Sequence, residues 1–118
     1  MEECVFCKII NREIPAKIVA ENDYAIAFED VYPVAPVHVL VVPKKHIPNI
    51  MELSDEDLLY IGEVHKMIQE VARQKDIDSQ EKGFRVITNY GEDGGQTVHH
   101  IHYHVIGGKT LGPKIIHD

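Results

Sequence analysis

The feature that most constrains the fold is an alternation of polar and apolar residues near the end of the chain, His100-Ile101-His102-Tyr103-His104-Val105-Ile106. Side chains alternate between the faces of a β-strand, so a strand here would place the three imidazoles on one face and the apolar residues on the other. Like charges disfavour one another, so some of these imidazoles should be neutral at neutral pH and able to act as nucleophiles or metal ligands. A surface metal trap or an ordinary half-exposed strand could also carry histidines. Three in register after the Gly94-Gly95 turn favour a functional face.

The size and charge of the chain limit its class. A length of 118 residues fits a single domain, residues 1–118, that can bury its own core. The net charge of -7 and the pI near 5.5 disfavour binding to nucleic acid or to an anionic membrane. The acidic start Met1-Glu2-Glu3-Cys4 predicts no leader, and no apolar run reaches the roughly 18 residues of a membrane span. We therefore expect a cytoplasmic protein with neither of these partners.

Short segments rich in β-branched and aromatic residues, bounded by turn residues, predict five strands. They cover residues 17–21, 24–29, 37–42, 83–89 and 102–106. The run 37–42 is apolar on both faces, which predicts a central strand covered on both sides. A lone His38 in such a strand would by default be a hydrogen-bonded core histidine.

One long helix is predicted from about residue 54 to 74. It begins with the capping box Ser54-Asp55-Glu56-Asp57, whose acidic side chains suit the start of a helix. An apolar stripe at helical spacing follows, formed by Leu58, Ile61, His65, Ile68 and Ala72 with Val64 and Val71 beside it. The stripe predicts packing against a sheet, with His65 structural. With a short helical turn at residues 7–11, the order βββαββ predicts an α+β fold built on an antiparallel sheet.

The loop before the histidines offers groups that suit phosphate oxygens. Gly94-Gly95 lets backbone amides approach a ligand, Thr97 adds a hydroxyl and Asn89 an amide. Beside neutral imidazoles, these groups predict a phosphoryl-transfer site in which positioning and charge stabilisation dominate.

The pair Cys4-x-x-Cys7 has three readings. It could be a redox pair, but a thioredoxin-type site lies in a βαβ unit and none begins here. It could be two inert thiols. It could also be half of a tetrahedral zinc site that needs two more ligands.

Taken together, these motifs resemble the histidine-triad (HIT) family, defined by His-φ-His-φ-His-φ-φ with φ apolar, and most closely its Hint branch of purine-nucleotide phosphoramidases. The resemblance extends from about Cys4 to Pro113. The further matching segments are Phe6-Cys7-Lys8-Ile9-Ile10 with Glu13-Ile14-Pro15, Phe28-Glu29-Asp30-Val31, Ala35-Pro36-Val37-His38, Pro43-Lys44-Lys45-His46-Ile47 and Asp93-Gly94-Gly95-Gln96-Thr97-Val98. The resemblance implies a HIT-like fold and a homodimer whose subunits join sheets across a two-fold axis.

The resemblance also implies roles for individual residues. His102 would be the nucleophile that attacks the α-phosphorus of a purine nucleotide and releases a monophosphate such as AMP, with His104 and His38 binding phosphate and assisting proton transfer. Asp30 would bind the ribose hydroxyls. The implied phosphate contacts are Asn89, Gly95, Thr97, Val98 and His104, and the implied base slot is Val5, Phe6, Ile9, Phe28 and Val31.

In some bacterial members and in the related galactose-1-phosphate uridylyltransferases, two histidines complete the cysteine site. The matching positions here are His46 and His100, so the resemblance implies a structural Zn²⁺ site of Cys4, Cys7, His46 and His100 that is not required for chemistry. His99 is an alternative fourth ligand. Two further function classes share the triad: diadenosine polyphosphate hydrolases or nucleotidyl transferases, and nucleotide-binding regulatory proteins.

Overall fold

The protein, described here by a computed structural model over residues 4–113, is an α+β structure with one five-stranded sheet. The strands are β1 (Ile18–Glu21), β2 (Ala25–Glu29), β3 (Val37–Pro43), β4 (Phe84–Ile87) and β5 (Tyr103–Gly107). The helices are α1 (Val5–Ile10), α2 (Leu58–Gln74) and the short α3 (Gly91–Gly94). Every strand pair is antiparallel, in the order β1-β2-β3-β5-β4. The predicted fold class and element order are confirmed.

Strand β3 is the centre of the sheet and is covered on both faces. Val39 and Val41 lie in the core beneath α2, whereas Leu40 and Val42 lie in a second core beneath α1. Leu40 pairs with His104 of β5, and His38 pairs with Ile106. Since paired residues share a face, His38 and His104 both lie on the α1 side of the sheet. The prediction of a central, doubly covered strand is confirmed.

Helix α2 starts later than its sequence predicts. The capping box is present, but Asp55–Asp57 form a 3₁₀ turn and the α-helix begins at Leu58. Asp57 accepts hydrogen bonds from the Ser54 N–H at 3.0 Å and from the Lys45 ammonium at 2.6 Å. The bond from Lys45, followed by that from Ser54, lowers the pKa of Asp57. The capping residues are therefore held by a partner outside the helix.

The buried face of α2 also differs from the predicted stripe. It consists of Val64, Met67, Ile68, Val71 and Ala72. Leu58 is 57% exposed and His65 is exposed as well, so the prediction was wrong for these two. The helix packs against β1, β2 and β3, and its first turn and the flank carrying His65 are not buried by this packing. Within the described residues, no helix combines the length and apolarity needed to cross a membrane.

The predicted last strand begins one residue later than expected, at Tyr103. His100 and His102 therefore precede the strand, and only His104 lies within it. The cause is a different backbone partner, because the Ile101 N–H donates to the Ile47 carbonyl at 2.7 Å, outside the sheet. The segment before β5 is thus fixed by bonds other than those of the β ladder.

Candidate active site and metal centre

Three histidines meet on the α1 face of the sheet. The His38 Nε2 lies 2.9 Å from the His104 Nδ1, and the ring centres of His102 and His104 are 5.3 Å apart. His38 and His102 are buried, and His104 is partly exposed. Two members of the predicted triplet, His102 and His104, therefore lie on one side together with His38, although His102 lies just outside the strand.

The orientation of His102 leaves one ring nitrogen free. Its Nδ1 lies 2.8 Å from the backbone carbonyl of His100, which can only accept a hydrogen bond. The proton of the neutral ring is therefore on Nδ1, and Nε2 keeps its lone pair. Phe6 packs edge-on against this ring, with ring centres 5.1 Å apart. His102 thus presents an unprotonated nitrogen from a fixed imidazole.

The protons of His38 and His104 can be assigned in the same way. The Val34 N–H donates to His38 Nδ1 at 3.1 Å, so the His38 proton is on Nε2. That N–H donates to His104 Nδ1, with Asp30 Oδ2 also within 3.2 Å. His104 consequently carries its own proton on Nε2. The chain of bonds from Val34 through His38 to His104 leaves an N–H on the outermost ring.

The imidazoles of His102 and His104 are neutral at physiological pH. Burial, reinforced by the nearby His102 and His38, lowers the pKa of His104 from 6.5 to about 4. Burial also lowers the pKa of His102, against the opposing effects of its bond to His100 and of Asp30. A neutral His102 is the form that can act as a nucleophile, and a neutral His104 retains an Nε2–H that can donate a hydrogen bond.

Beyond the nucleophile lies a second cluster, formed by Cys4, Cys7, His46 and His100, whose ligand atoms all lie within 4.8 Å of one another. The His100 Nδ1 is 3.3 Å from Cys4 Sγ and 3.6 Å from Cys7 Sγ, and the His46 Nδ1 is 3.3 Å from Cys7 Sγ. A tetrahedral Zn²⁺ with ordinary bond lengths holds sulfur and nitrogen ligands about 3.6 Å apart. The measured distances of 3.3–3.6 Å are close to this spacing, so the four residues can hold such an ion.

Asp30, His38 and His104 form another group within metal-binding distance. A metal-binding imidazole normally donates its other N–H to an acceptor. His100 meets this condition, since its Nε2 donates to the Pro43 carbonyl at 2.8 Å. His38 does not, since its Nδ1 already accepts from the Val34 N–H. The hydrogen bonds therefore favour a metal at the cysteine cluster and a proton relay at His38 and His104.

The residues of the implied base slot divide into two groups. Phe6, Ile9 and Phe28 are buried in the core beneath α1, and Val98 packs against that core. Val5 and Val31 are exposed, Val31 by 80%. The structure thus brings three of the five residues of the implied base slot together behind His102, next to Val98 of the implied phosphate contacts, and leaves Val5 and Val31 at the surface.

Four of the implied phosphate contacts, Asn89, Gly95, Thr97 and Val98, lie between β4 and β5, and the fifth, His104, lies in β5. Thr97 is exposed and Asn89 is half-buried. Gly95 ends α3 with a φ of +84°, a conformation that favours glycine, and its N–H donates to the Glu92 carbonyl at 3.0 Å. A phosphate contact from the Gly95 amide would therefore have to share that bond.

Two polar residues that the sequence did not single out hold the backbone of the segment before β5. The Thr88 hydroxyl donates to the His102 carbonyl at 2.8 Å. The buried Gln96 side chain donates to the carbonyls of Pro48 and Val98, at 2.8 and 3.0 Å. The position of Gln96 beside two glycines is a weak signal, and Thr88 gives none because its partner is a main-chain atom.

The low pKa of His104 predicts a loss of stability in acid. The unfolded chain takes up this proton near pH 6.5 and the folded protein only near pH 4, so the free energy of unfolding falls as the pH falls through that interval. We expect a His104→Gln variant to lose less stability than wild type between pH 6.5 and 4 in urea denaturation. His65→Gln, at an exposed histidine, should follow wild type. Equal pH slopes for wild type and His104→Gln would contradict the assignment.

Comparison with known proteins agrees with this geometry. A model of the HIT domain matches residues 11–111. The chain is 42% identical to the purine nucleoside phosphoramidase of Escherichia coli K12 over 116 residues, covering 98% of this chain and 96% of that protein. A solved HIT family hydrolase from Clostridium thermocellum shares 48% identity with a TM-score of 0.91, covering 98% of this chain and 99% of its own. A histidine triad protein from Clostridium difficile shares 47% with a TM-score of 0.89, covering 97% and 99%. The chain belongs to the HIT family.

Proposed function

We propose that this protein is a purine nucleoside phosphoramidase that acts at the α-phosphorus through a nucleotidyl-histidine intermediate. The observation that carries the proposal is the bond from His102 Nδ1 to the His100 carbonyl, because it leaves Nε2 as a free nucleophile. The similarity to the E. coli purine nucleoside phosphoramidase supports the substrate class.

In the first half of the reaction, His102 Nε2 attacks the α-phosphorus of a nucleoside 5'-phosphoramidate. The phosphorus–nitrogen bond to the leaving amine breaks as a phosphorus–nitrogen bond to His102 forms. The amine takes the Nε2 proton of His104 in its imidazolium form, which the ring reaches by binding a proton from solvent, so that His104 is left as a neutral imidazole beside His38. Because the pKa of His104 is lowered to about 4, this imidazolium is scarce at neutral pH and gives up its proton readily once formed.

In the second half, water attacks the same phosphorus. Its proton returns to His104 Nε2, the bond to His102 breaks, and the nucleoside monophosphate leaves. The two halves restore the tautomers of the resting protein once His104 returns its extra proton to solvent, since His102 again carries its proton on Nδ1 only. The same two groups therefore serve both steps, with His104 acting first as acid and then as base.

The nucleotide is proposed to lie across the α1 face. Asp30 Oδ1 already accepts the Tyr32 N–H at 2.8 Å, so the ribose hydroxyls would donate to Oδ2. The base would contact the apolar residues around Phe6 and Phe28, and Thr97 and Val98 would bind phosphate oxygens. Because apolar walls select shape more than hydrogen-bond pattern, we expect only a modest preference for purines over pyrimidines.

Removing the nucleophile tests this proposal. We expect His102→Ala to lower the turnover of adenosine 5'-phosphoramidate by roughly 10⁴-fold or more, because no other group can form the intermediate. AMP release is followed by chromatography, and the adduct by mass spectrometry without acid exposure. His65→Ala, at an exposed histidine on α2, serves as the matched control and should keep wild-type turnover.

The substrate range decides among the related activities. AMP release together with an adduct present only when His102 is intact supports the phosphoramidase. Cleavage of diadenosine polyphosphates, or transfer to an added acceptor, in preference to the phosphoramidate would replace it with the alternative hydrolase or transferase. AMP binding without any turnover would favour a nucleotide-binding regulatory protein.

We further propose that Cys4, Cys7, His46 and His100 hold a structural Zn²⁺, which would supply a cross-link between α1, the segment after β3 and the segment before β5. The mixed sulfur and nitrogen ligands suit zinc. Burial and the neighbouring Cys4 raise the pKa of Cys7 to about 11, so binding must displace a proton. We also propose a cytoplasmic location, since two cysteines in one short segment do not form the disulfide framework of a secreted protein.

Metal removal should destabilise the protein. We expect chelation to lower the Tm by at least about 5 °C, the scale of about 1 kcal/mol in a domain of this size. Cys4→Ala should purify with little zinc by elemental analysis, whereas His99→Ala should retain a full equivalent. Full zinc in Cys4→Ala, or an unchanged Tm after chelation, would remove the proposed site.

A homodimer is proposed from an uncovered part of the sheet. Val86 of β4 pairs with Val105, which lies in the core beneath α2, so Val86 faces the α2 side. Helix α2 packs on β1 to β3, and both Phe84 and Val86 remain exposed. Leu58 and Leu59 at the start of α2 are exposed too. The exposed apolar residues of β4 and of the start of α2 are surfaces that a second copy can cover across a two-fold axis.

The dimer is tested by a charge at its proposed centre. We expect a dimeric mass for wild type in sedimentation equilibrium and a monomeric mass for Val86→Glu, because the buried carboxylate would lack a partner. Ile18→Glu is the matched control, since Ile18 is 40% exposed on the opposite edge strand against 41% for Val86. A monomeric wild type would refute the dimer, and a shift in both variants would refute this surface.

A further inference from the structure

We infer that the cysteine–histidine cluster positions the nucleophile: with a metal bound, it holds His102 in the tautomer whose Nε2 is free, acting through the His100 carbonyl and through Phe6. The inference rests on the proposed function and on the proposed metal, and it concerns residues of this chain that touch no substrate. The four ligands are Cys4, Cys7, His46 and His100, so His102 is outside the set.

The first connection is His100 itself, which is fully buried. Its Nδ1 faces the two thiols, its Nε2 donates to the Pro43 carbonyl at 2.8 Å, and its own carbonyl accepts the His102 Nδ1–H at 2.8 Å. A ring held at both nitrogens cannot rotate, which restricts the backbone that carries it. A metal on Nδ1 also requires the proton on Nε2, the arrangement that the bond to Pro43 needs.

This anchoring matters because the local backbone lies outside the sheet. His100 and His102 both precede β5, so no ladder bond fixes the direction of the His100 carbonyl. The neighbouring bonds are those of the Ile101 N–H to Ile47 and of Thr88 to the His102 carbonyl. The Ile101 N–H belongs to the same rigid peptide group as the His100 carbonyl, so its bond to Ile47, the residue after His46, fixes that group directly. The bond from Thr88 fixes the peptide group after His102, and the side chain of His100 constrains the segment from its other end.

The second connection is Phe6, which lies between the two cysteines in α1. Its ring centre is 5.9 Å from that of His100 and 5.1 Å from that of His102, both in edge-on contact. A helix of six residues is too short to be stable alone, so α1 depends on its tertiary contacts. A metal on Cys4 and Cys7 would fix both ends of the turn that carries Phe6, and thereby the ring that packs on the nucleophile.

The test compares holoprotein, metal-stripped protein and stripped protein resupplied with Zn²⁺, at constant pH and with circular dichroism confirming that each is folded. Long-range ¹H–¹⁵N spectra report the His102 tautomer. We expect stripping to replace the single Nδ1–H tautomer with a mixture and to lower kcat roughly 10-fold or more with little change in KM, as the loss of supporting interactions around a site does. Zinc should restore both.

A folded, metal-free protein that keeps the Nδ1–H tautomer and full kcat would overturn the inference and leave the metal purely structural. If stripping unfolds the chain, Phe6→Leu decides, since it keeps all four ligands. The Phe6→Leu variant should show a mixture of His102 tautomers even with a full equivalent of zinc. A spectrum identical to that of wild type would contradict the inference. Failure of the proposed function is distinguishable, because holoprotein without turnover or adduct would still report its tautomer by NMR.

Discussion

The bond from the His102 Nδ1–H to the His100 carbonyl is the interaction on which the site depends. Both partners lie within three consecutive residues, so the bond depends on the direction of the local backbone and not on a side chain from another element. Three contacts hold that segment: the bond from the Ile101 N–H to Ile47 orients the peptide group that carries the His100 carbonyl, the Thr88 hydroxyl binds the His102 carbonyl, and the His100 side chain binds the Pro43 carbonyl. A single local bond therefore relies on contacts from β3, from the loop after β3 and from the residue that follows β4.

The register of the central strand β3 positions the other two histidines, His38 and His104. Pairing Leu40 with His104 sets His38 one diagonal step away on the same face, close enough for its ring to meet that of His104 at 2.9 Å. A shift by one residue would send His38 to the α2 core. The apolar residues of β3 that fix the register are thus also what aligns the proton relay.

The sequence predicts much of this arrangement. It does not predict the strand ends and histidine tautomers that depend on hydrogen bonds to residues distant in the chain. Alternation and turn residues suffice for five strands, and the doubly apolar run 37–42 identifies the central one. Alternation also assigns His102 to the last strand, wrongly, because the preceding Ile101 N–H bonds to Ile47 instead of a neighbouring strand. The tautomers follow from Val34, Pro43 and main-chain carbonyls, none of which a spacing rule can reveal. Leu58 illustrates the same limit, since periodicity cannot say where the sheet beneath a helix ends.

An acidic protein with neutral histidines must bind an anionic substrate by local donors. The net charge of -7 repels a nucleotide at long range, and the low pKa of His104 denies the site a standing imidazolium. Charge on the phosphorus oxygens must then be met by N–H and O–H groups, of which the His104 Nε2–H and the Thr97 hydroxyl are candidates. Such donors are fixed by the fold and need no reorientation as charge develops, so they stabilise the transition state more than a flexible surface cation would. The burial that keeps the imidazoles neutral also strengthens these bonds, because a low local dielectric increases the energy of each one.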